Sequence, residues 1–552
     1  MIKKVFILDD LVRKYTIINA IEHDGVAQAK SVLGRLLSEN PELRSRVQAL
    51  NSEVALAVEQ INRLSLAEQK AELDKFGGYT APKREQRKGL PELDLTRDKF
   101  VVRFAPNPDG AIHVGNARPA ILCDEYAKKY NGRFILRFDD TDPKIKTPEK
   151  RFYSWIREDL KWLKIKVHQE ITASKRFPIY YKIAEQVINI DAAYVCTCGE
   201  SWKKLKIASR ACKCRHNDPK TNMKLWKKML SHKFKEGQAV LRIKTDMQAK
   251  NPAVRDWPAM RIVDKPKHPF VKNKYVWPLY NFASAVDDHL LSVTHIMRGQ
   301  EHSTNEVKQR YLYQHLGWTY PFVITLGRLS MSDMVLSKSQ IREGIISHKI
   351  SGWDDVKTAT IRAMRRRGFQ PDALRQIIVD IGPKPSDITV SFENLAAYNR
   401  KLVDKDANRY FFIPNPKRIT VKGLKIKKAK VPLHPEENKG FRLFNLSNTF
   451  FIDDKDFEAY KLLEVRLKDL CNIKLGNISE FTGTELRAVP KIQWVPAKHL
   501  NVRVIMPNRE IKGYAETNLS KVKVGDVIQF ERFGFVRIEK TGKTIVAVFA
   551  HE

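Results

Sequence analysis

Between Phe100 and Phe138 the apolar residues pass from a strand-like run to a helical period and back, and this change of rhythm restricts what the chain can fold into. Phe100 to Ala105 is a short apolar run, and Pro106 to Gly110 is a Pro/Asn/Gly loop. Ala117 to Tyr130 is a helical stretch, and Phe134 to Phe138 is a second apolar run. Strand, helix and strand in that order make a βαβ unit. Its strands lie parallel, and such a sheet takes its ligand beyond the carboxyl ends of the strands. His113 to Asn116 and Asp139-Asp140-Thr141-Asp142 fall at those ends, so two loops are expected to converge on one cleft.

A chain of 552 residues exceeds what one hydrophobic core organises, so three or four domains are expected. The first 80 or so residues carry Ala-, Leu- and Glu-rich helical stretches broken at Gly25, Pro41 and Gly77-Gly78, and Pro82 to Pro91 reads as a charged, proline-bounded linker. Residues 340 to 395 read as helical again, including Arg365-Arg366-Arg367-Gly368. After about residue 396, β-branched runs such as Ile419-Thr420-Val421 and Val522-Lys523-Val524 alternate with Gly and Pro turns, which predicts antiparallel barrels. There is no internal repeat.

Lys and Arg number 99 against 63 Asp and Glu, a formal net charge of +36, and a large polyanion is the natural partner for that excess. A basic surface suited to an unusual cell interior is the alternative. Asp9 and Asp10 sit where a signal peptide needs an apolar core, and no apolar run reaches membrane-spanning length, so a cytosolic location and no membrane partner are expected. Four of six cysteines lie between positions 196 and 214, which points to metal rather than to distributed disulfides.

Two familiar phosphate-binding loops fail. Gly542-Lys543-Thr544 has the tail of a P-loop, but Arg537 stands where its first Gly is required, and no GxGxxG occurs. What does occur is Arg103-Phe104-Ala105-Pro106-Asn107-Pro108 leading to His113-Val114-Gly115-Asn116, with Val335-Leu336-Ser337-Lys338-Ser339 about 220 residues later. These resemble the HIGH and KMSKS signatures of class I aminoacyl-tRNA synthetases. Between them, Phe138-Asp139-Asp140-Thr141-Asp142-Pro143, Trp277-Pro278-Leu279-Tyr280-Asn281-Phe282-Ala283-Ser284, Asp287-Asp288-His289 and Thr294 to Gly299 are similar to the glutamyl/glutaminyl branch. Over the full length, the chain resembles archaeal and eukaryotic glutamyl-tRNA synthetases.

The resemblance implies a multidomain α/β architecture. A small helical domain with its linker covers residues 1–95, and the two halves of a Rossmann-type catalytic domain cover 96–190 and 275–339. Between the halves, residues 191–274 form an insertion that grips the tRNA acceptor end. A helical connecting subdomain follows at 340–396, and β-barrels that read the anticodon occupy 397–552. The implied ATP site comprises Pro106, His113, Gly115, Asn116, Arg328, Leu329, Ser337, Lys338 and Ser339, with His113, Asn116 and Lys338 catalytic. The first signature opens a helix, whose free N–H groups favour phosphate. Gly115 lets adenine approach the backbone, and Lys338, on a mobile loop, stabilises charge on the α-phosphate. Asn116 replaces the second His of HIGH, and Val335-Leu336 replace the leading Lys-Met of KMSKS.

For the amino acid, the resemblance places Arg103 and Arg298 at the side-chain end, Asp139 at the α-amino group and Tyr280 against the substrate. Ser284 stands where glutaminyl enzymes carry His, which favours glutamate, and a carboxylate is best met by forked guanidinium donors. Either arginine could instead pair with a neighbour such as Asp142 or Asp287. The implied reaction is glutamate–tRNA ligation: glutamate attacks the α-phosphate of Mg-ATP, and the acyl group passes to the 3′ end of tRNA(Glu), with tRNA(Gln) open as a second acceptor. Two alternatives stand beside it, a glutaminyl-tRNA synthetase and a catalytically silent zinc-containing tRNA-binding relative. Cys196, Cys198, Cys212 and Cys214 have the pairing of a knuckle-type structural Zn²⁺ site, with His216 open as a replacement for Cys212. Lys417, Arg418, Lys422, Lys425, Lys427, Lys428 and Lys430 are expected along a barrel strand and its turns, where alternation could line up phosphate contacts. A monomer is expected, with contacts to other translation proteins left open.

Overall fold

The computed structural model describes residues 2–23, 25–76, 89–93, 99–332 and 334–552. The Gly77-Gly78 break and the linker from Pro82 to Lys88 lie outside the described residues. Two compact units divide at residue 87. The first is a bundle of helices Ile2–Glu22, Ala29–Glu39, Val47–Asn62 and Leu66–Asp74, which bury Val12, Val32, Leu36, Leu50, Val54 and Ile61 between them. Ser65 and Glu68 form a reciprocal capping box at the start of the fourth helix, and Asn62 clasps both backbone groups of Ala27 across the bundle.

In the second unit a five-stranded parallel sheet runs in the order Gln169–Thr172, Arg133–Phe138, Val101–Phe104, His295–Gly299, Phe322–Leu326. The order reverses direction between Val101–Phe104 and His295–Gly299, and a crevice opens at the carboxyl ends there. Val101, Val102, Arg103 and Phe104 are all buried, because helices cover both faces of the sheet. An antiparallel sheet of Ala193–Cys196, Val240–Ile243, Pro258–Ile262 and Val276–Pro278 interrupts the parallel one. Its core, with Trp226, Trp257 and Trp277 at 0 to 1% exposure, is continuous with the helices Phe177–Asn189, Tyr280–Leu290 and Ser303–His315. Its last strand leads directly into the helix Tyr280–Leu290, so the insertion hands the chain back at the crevice.

Helices Ile361–Arg367, Pro371–Ile381 and Phe392–Val403 follow. The stretch expected to be wholly helical also contains a strand, Ile388–Val390, paired parallel with Leu329–Met331. Its Ile-Thr-Val sequence suits a strand, and a waiting edge decided the outcome. Beyond residue 408 two seven-stranded sheets form. In one, the edge strands Arg409–Tyr410 and Phe412–Ile413 are separated by Phe411 alone. In the other, the edges Lys491–Ile492 and Val495–Pro496 are separated by Gln493 and Trp494 alone, so each sheet is rolled until its edges meet. The barrels are not purely antiparallel as expected: Thr420–Lys422 pairs parallel with Ile478–Glu480, and Asn501–Ile505 with Thr544–Val548. Long connections return those strands to the sheet in the same direction, which a run of short strands in sequence does not reveal. No described helix is long and apolar enough to cross a membrane.

Candidate active site

The strand Arg133–Phe138 places Arg137 and Asp139 on one side of the sheet at a spacing of two residues. Arg137 is completely buried and is the hub of the crevice. It donates to Asp139 (2.6 and 3.3 Å), to Asp288 (2.6 Å) and to the hydroxyl of Ser284 (2.8 Å). Arg103, from the adjacent strand, donates to both oxygens of the same Asp288 at 3.1 and 3.3 Å. Arg103, Asp139 and Ser284 are therefore brought together, through two residues that the sequence reading had not assigned a role. The pairing with a neighbouring acid weighed for the arginines is therefore found for Arg103, with Asp288, while Asp142 is taken by Arg261 and Asp287 by Arg176 and Tyr180.

Arg298, at the end of the strand His295–Gly299, differs from the other two. It is 6% exposed, and its terminal nitrogens reach neutral acceptors, Gln309 Oε1 at 3.2 Å and Tyr320 Oη at 3.2 Å. Its Nε is buried with no partner, and no carboxylate pairs with it among the described residues. Burying an unpaired guanidinium costs several kcal/mol (roughly 3–5), so this environment awaits an anion. Tyr280 lies at the rim, 37% exposed, with its ring 5.8 Å from that of His302. Burial, with smaller contributions from the charges of Arg298, Arg103 and Lys146, lowers the His302 pKa.

The phosphate side adjoins it through the loop after Val101–Phe104: Pro106 O accepts from Asp139 N, and Asn107 O from Lys338 Nζ at 3.2 Å. His113 caps the helix Val114–Lys129, its Nδ1 accepting the N–H of Asn116 at 3.3 Å. With Nδ1 an acceptor, the ring proton resides on Nε2, free to donate. Burial, reinforced by the charges of Lys338 and Arg328, lowers the His113 pKa to about 3, so the ring is neutral at physiological pH. A Cβ on Gly115 would stand 3.1 Å from the His113 ring and 3.2 Å from Leu329 O, so a side chain there would push against that ring and against the strand Leu329–Met331. The side-chain oxygen of Asn116 is buried without a partner. Ser337 caps the helix Lys338–Ile346 and bonds Ser339. Lys338 Nζ rests on Asp109 Oδ1 at 2.9 Å. Asp109 is a further residue without a role in the sequence reading, and it holds the expected phosphate ligand against the first signature loop.

Both signatures hang on one short extended segment. Val335 N donates to Lys357 O and Ala359 N to Val335 O; on its other side, Val114 N donates to Ala359 O and Ile361 N to Ile112 O. These are main-chain bonds, so residue identity leaves no trace of them. The same segment starts the helix Ile361–Arg367, where Arg366 pairs with Glu539 at 2.6 Å and Arg367 bonds the carbonyls of Phe549 and Ala550. The segment thus connects the crevice to the carboxyl-terminal barrel.

In the insertion, the sulfurs of Cys196, Cys198, Cys212 and Cys214 all lie within 4.8 Å of one another, with Cys196–Cys212 at 3.9 Å and Cys198–Cys214 at 3.6 Å. Four thiolates at about 2.3 Å from a tetrahedral zinc stand about 3.8 Å apart, so the set fits that ion. His216 is not part of the group, and the alternative in which it replaces Cys212 is not the arrangement found. In the basic tail, Lys417 is engaged by Asp454 and Glu458 and packs over Phe457, so it serves the barrel itself. Lys422, Lys425, Lys427, Lys428 and Lys430 are exposed.

A parallel sheet with a switch-point crevice, a helix-capping histidine and a lysine segment docked on its loop define a class I nucleotidyl-transfer fold. The catalytic-domain model of the class I (E and Q) tRNA synthetases matches residues 99–405, and two anticodon-binding-domain models of the same group match 407–490 and 491–539. The chain belongs to this family. Within it, the chain is of the archaeal glutamyl-tRNA synthetase type. It is 49% identical to the glutamate–tRNA ligase of Pyrococcus furiosus, over 99% of this chain and 100% of that one. Against that of Methanocaldococcus jannaschii it is 42% identical, over 97% and 98%. A crystal structure of a glutamate tRNA ligase from Elizabethkingia meningosepticum with its amino acid covers 55% of this chain and 70% of its own at 18% identity and a TM-score of 0.41, too distant to inform the site.

Proposed function

We propose that the chain activates glutamate with Mg-ATP and transfers it to the 3′ end of tRNA(Glu), as a cytosolic monomer. The observation that carries the choice of amino acid is Arg298, a buried cation whose hydrogen-bond partners among the described residues are neutral and whose Nε is unsatisfied. A substrate side-chain carboxylate completes its coordination with a charge-assisted bond, whereas an amide leaves the charge uncompensated. Arg103 is already half-neutralised by Asp288 and orients the same group. Asp139, itself held by Arg137, faces the α-amino group, and Tyr280 closes the rim.

The α-carboxylate attacks the α-phosphate in line and pyrophosphate leaves. Neutral His113 donates from Nε2 to the phosphates, and Asn116 turns its side chain to the same end of the helix. Lys338 exchanges Asp109 for the developing charge, so Asp109 stores the ammonium between turnovers. Positioning and charge stabilisation are what this chemistry requires. Cys196, Cys198, Cys212 and Cys214 would hold a structural Zn²⁺, which cross-links two turns and leaves no open coordination position.

The test is steady-state charging of total tRNA with glutamate and with glutamine, for the wild type and Arg298→Gln. Wild type charges glutamate, and the variant raises the KM for glutamate about 100-fold with the KM for ATP within twofold, the loss of one charge-assisted pair. Glutamine charging by the wild type, or equal effects on both KM values, would overturn the assignment. Purified tRNA(Gln) in the same assay shows whether it is a second acceptor.

A further inference from the structure

The acid segment that follows the strand Arg133–Phe138 is fastened to the insertion at several points. Arg261 bonds Asp142 at 3.0 Å, Lys267 N donates to Pro143 O at 3.0 Å, and Lys144 pairs with Glu236. The contact nearest the amino-acid site is made by His268, whose side chain is completely buried. Its Nδ1 accepts the N–H groups of Phe270 and Val271 at 3.2 and 3.1 Å, so the ring proton sits on Nε2. Nε2 donates to the main-chain oxygen of Asp140 at 3.0 Å and lies 3.4 Å from Asp140 Oδ2. No other donor reaches Asp140 O among the described residues.

The Asp140 carboxylate is held separately, by Tyr153 Oη at 2.6 Å and by the N–H and the hydroxyl of Ser174, each at 2.7 Å. Asp139, one peptide earlier, gives its N–H to Pro106 O and its carboxylate to Arg137. Asp139 is thus aimed by a short stretch of main chain, pinned at Asp139 N by the first signature loop and at Asp140 O by His268. The His268 ring also stands 5.5 Å from that of Trp277, in the strand Val276–Pro278 that leads to Tyr280 and Ser284. Phe270 packs edge-on against Tyr153 with ring centres 5.1 Å apart and completes the join. One buried side chain of the insertion therefore spaces two walls of the amino-acid crevice, the acid segment and the start of the helix Tyr280–Leu290. An apolar ring would serve for packing alone, whereas both nitrogens of His268 are committed, one to its own turn and one to the acid segment.

We propose that His268 is a positioning residue for the amino acid: its Nε2 proton fixes the carbonyl of Asp140, and through it the direction in which the Asp139 carboxylate faces the α-amino group. The inference rests on the ligase reading, in which Asp139 meets that group.

Steady-state charging of tRNA with glutamate tests it, using the full-length enzyme and two variants that divide the bonds of the ring. His268→Gln places an amide N–H where Nε2 stands and gives up the acceptor of the turn. His268→Asn keeps an acceptor for the turn, as in an Asx turn, and is too short to reach Asp140. Both remove the ring from beside Trp277, so their melting temperatures fall by similar amounts. His268→Asn raises the KM for glutamate about tenfold with the KM for ATP within twofold, and His268→Gln brings the KM for glutamate back to within about threefold of wild type. An equal rise in both variants would mean that the ring only packs, and it overturns the proposal, as does a rise in neither or a matching rise in the KM for ATP. Wild-type enzyme that charges no glutamate overturns the ligase reading itself, and that control is read before any variant is compared.

Discussion

His113 shows how a single side chain is tuned by where the chain puts it. Its Nδ1 is spent on the helix amino terminus, its ring is largely covered, and Lys338 and Arg328 lie near. Each of these opposes a second proton, and the folded pKa falls to about 3 from an ordinary value of about 6.5. Between these two values the unfolded chain binds a proton that the folded chain refuses. Stability therefore falls as pH drops through that window, by at most about 1.4 kcal/mol per pH unit, and nothing is lost above pH 7. For catalysis, the rate of adenylate formation measured by rapid quench shows no inflection near pH 6.5 from this residue. An inflection there that vanishes in His113→Asn would mean that the ring works as a cation. Arg137 makes the opposite case: it is a charge inside an apolar strand, Phe134 to Phe138, which is itself a signal that could have marked it, yet its partner Asp288 lies 151 positions away.

At the scale of elements, the segment from Lys357 to Ile361 matters more than its composition suggests, because its backbone alone ties the two signatures together. Thr360 locks it: its buried hydroxyl donates to Trp353 O at 2.6 Å and accepts from Ala363 N at 3.0 Å. Thr360→Val keeps the shape and deletes both bonds, at an expected cost of about 1–3 kcal/mol. Since the histidine and lysine loops then lose their common reference, kcat for pyrophosphate exchange is expected to fall about tenfold, with the KM for glutamate within twofold. A stability loss with kcat unchanged would show that the segment braces the fold without setting the geometry of the signatures. The signature helix was legible in advance because its apolar period is written in side chains; this segment was not, because its function is carried by peptide groups that every residue possesses.

Among the described residues the apolar side chains form several cores, and the one around Trp226, Trp257 and Trp277 joins the insertion's sheet to the helices Phe177–Asn189, Tyr280–Leu290 and Ser303–His315. The cysteine group has its own small cluster with Tyr194 and Trp202, too few residues to stand alone. Removing zinc is therefore expected to loosen the insertion while leaving the barrels folded. Metal analysis gives about one zinc per chain before treatment with a strong chelator, and scanning calorimetry afterwards resolves an early transition ahead of the main one. Less than half an equivalent before treatment, or an unchanged melt after its removal, counts against a structural ion. The excess of basic residues has a similar collective meaning. Some, like Lys417, are consumed by the fold, and only the remainder is available to a polyanion.

The sequence alone determined what depends on local rhythm and on residue type: the βαβ unit, the two signature-like segments, the paired cysteines and the β-rich end. These are short-range patterns, and short-range physics writes them. Only the tertiary structure decided which charges meet. It joined Arg137 to Asp288, gave Arg298 neutral hydrogen-bond partners, set Lys338 on Asp109, returned barrel strands in parallel and hung both signatures on Lys357 to Ile361. Those pairings join residues far apart in the chain, and in the last case they run through backbone groups common to all residues. Side-chain identity constrains such contacts only once the fold has placed them within reach of one another.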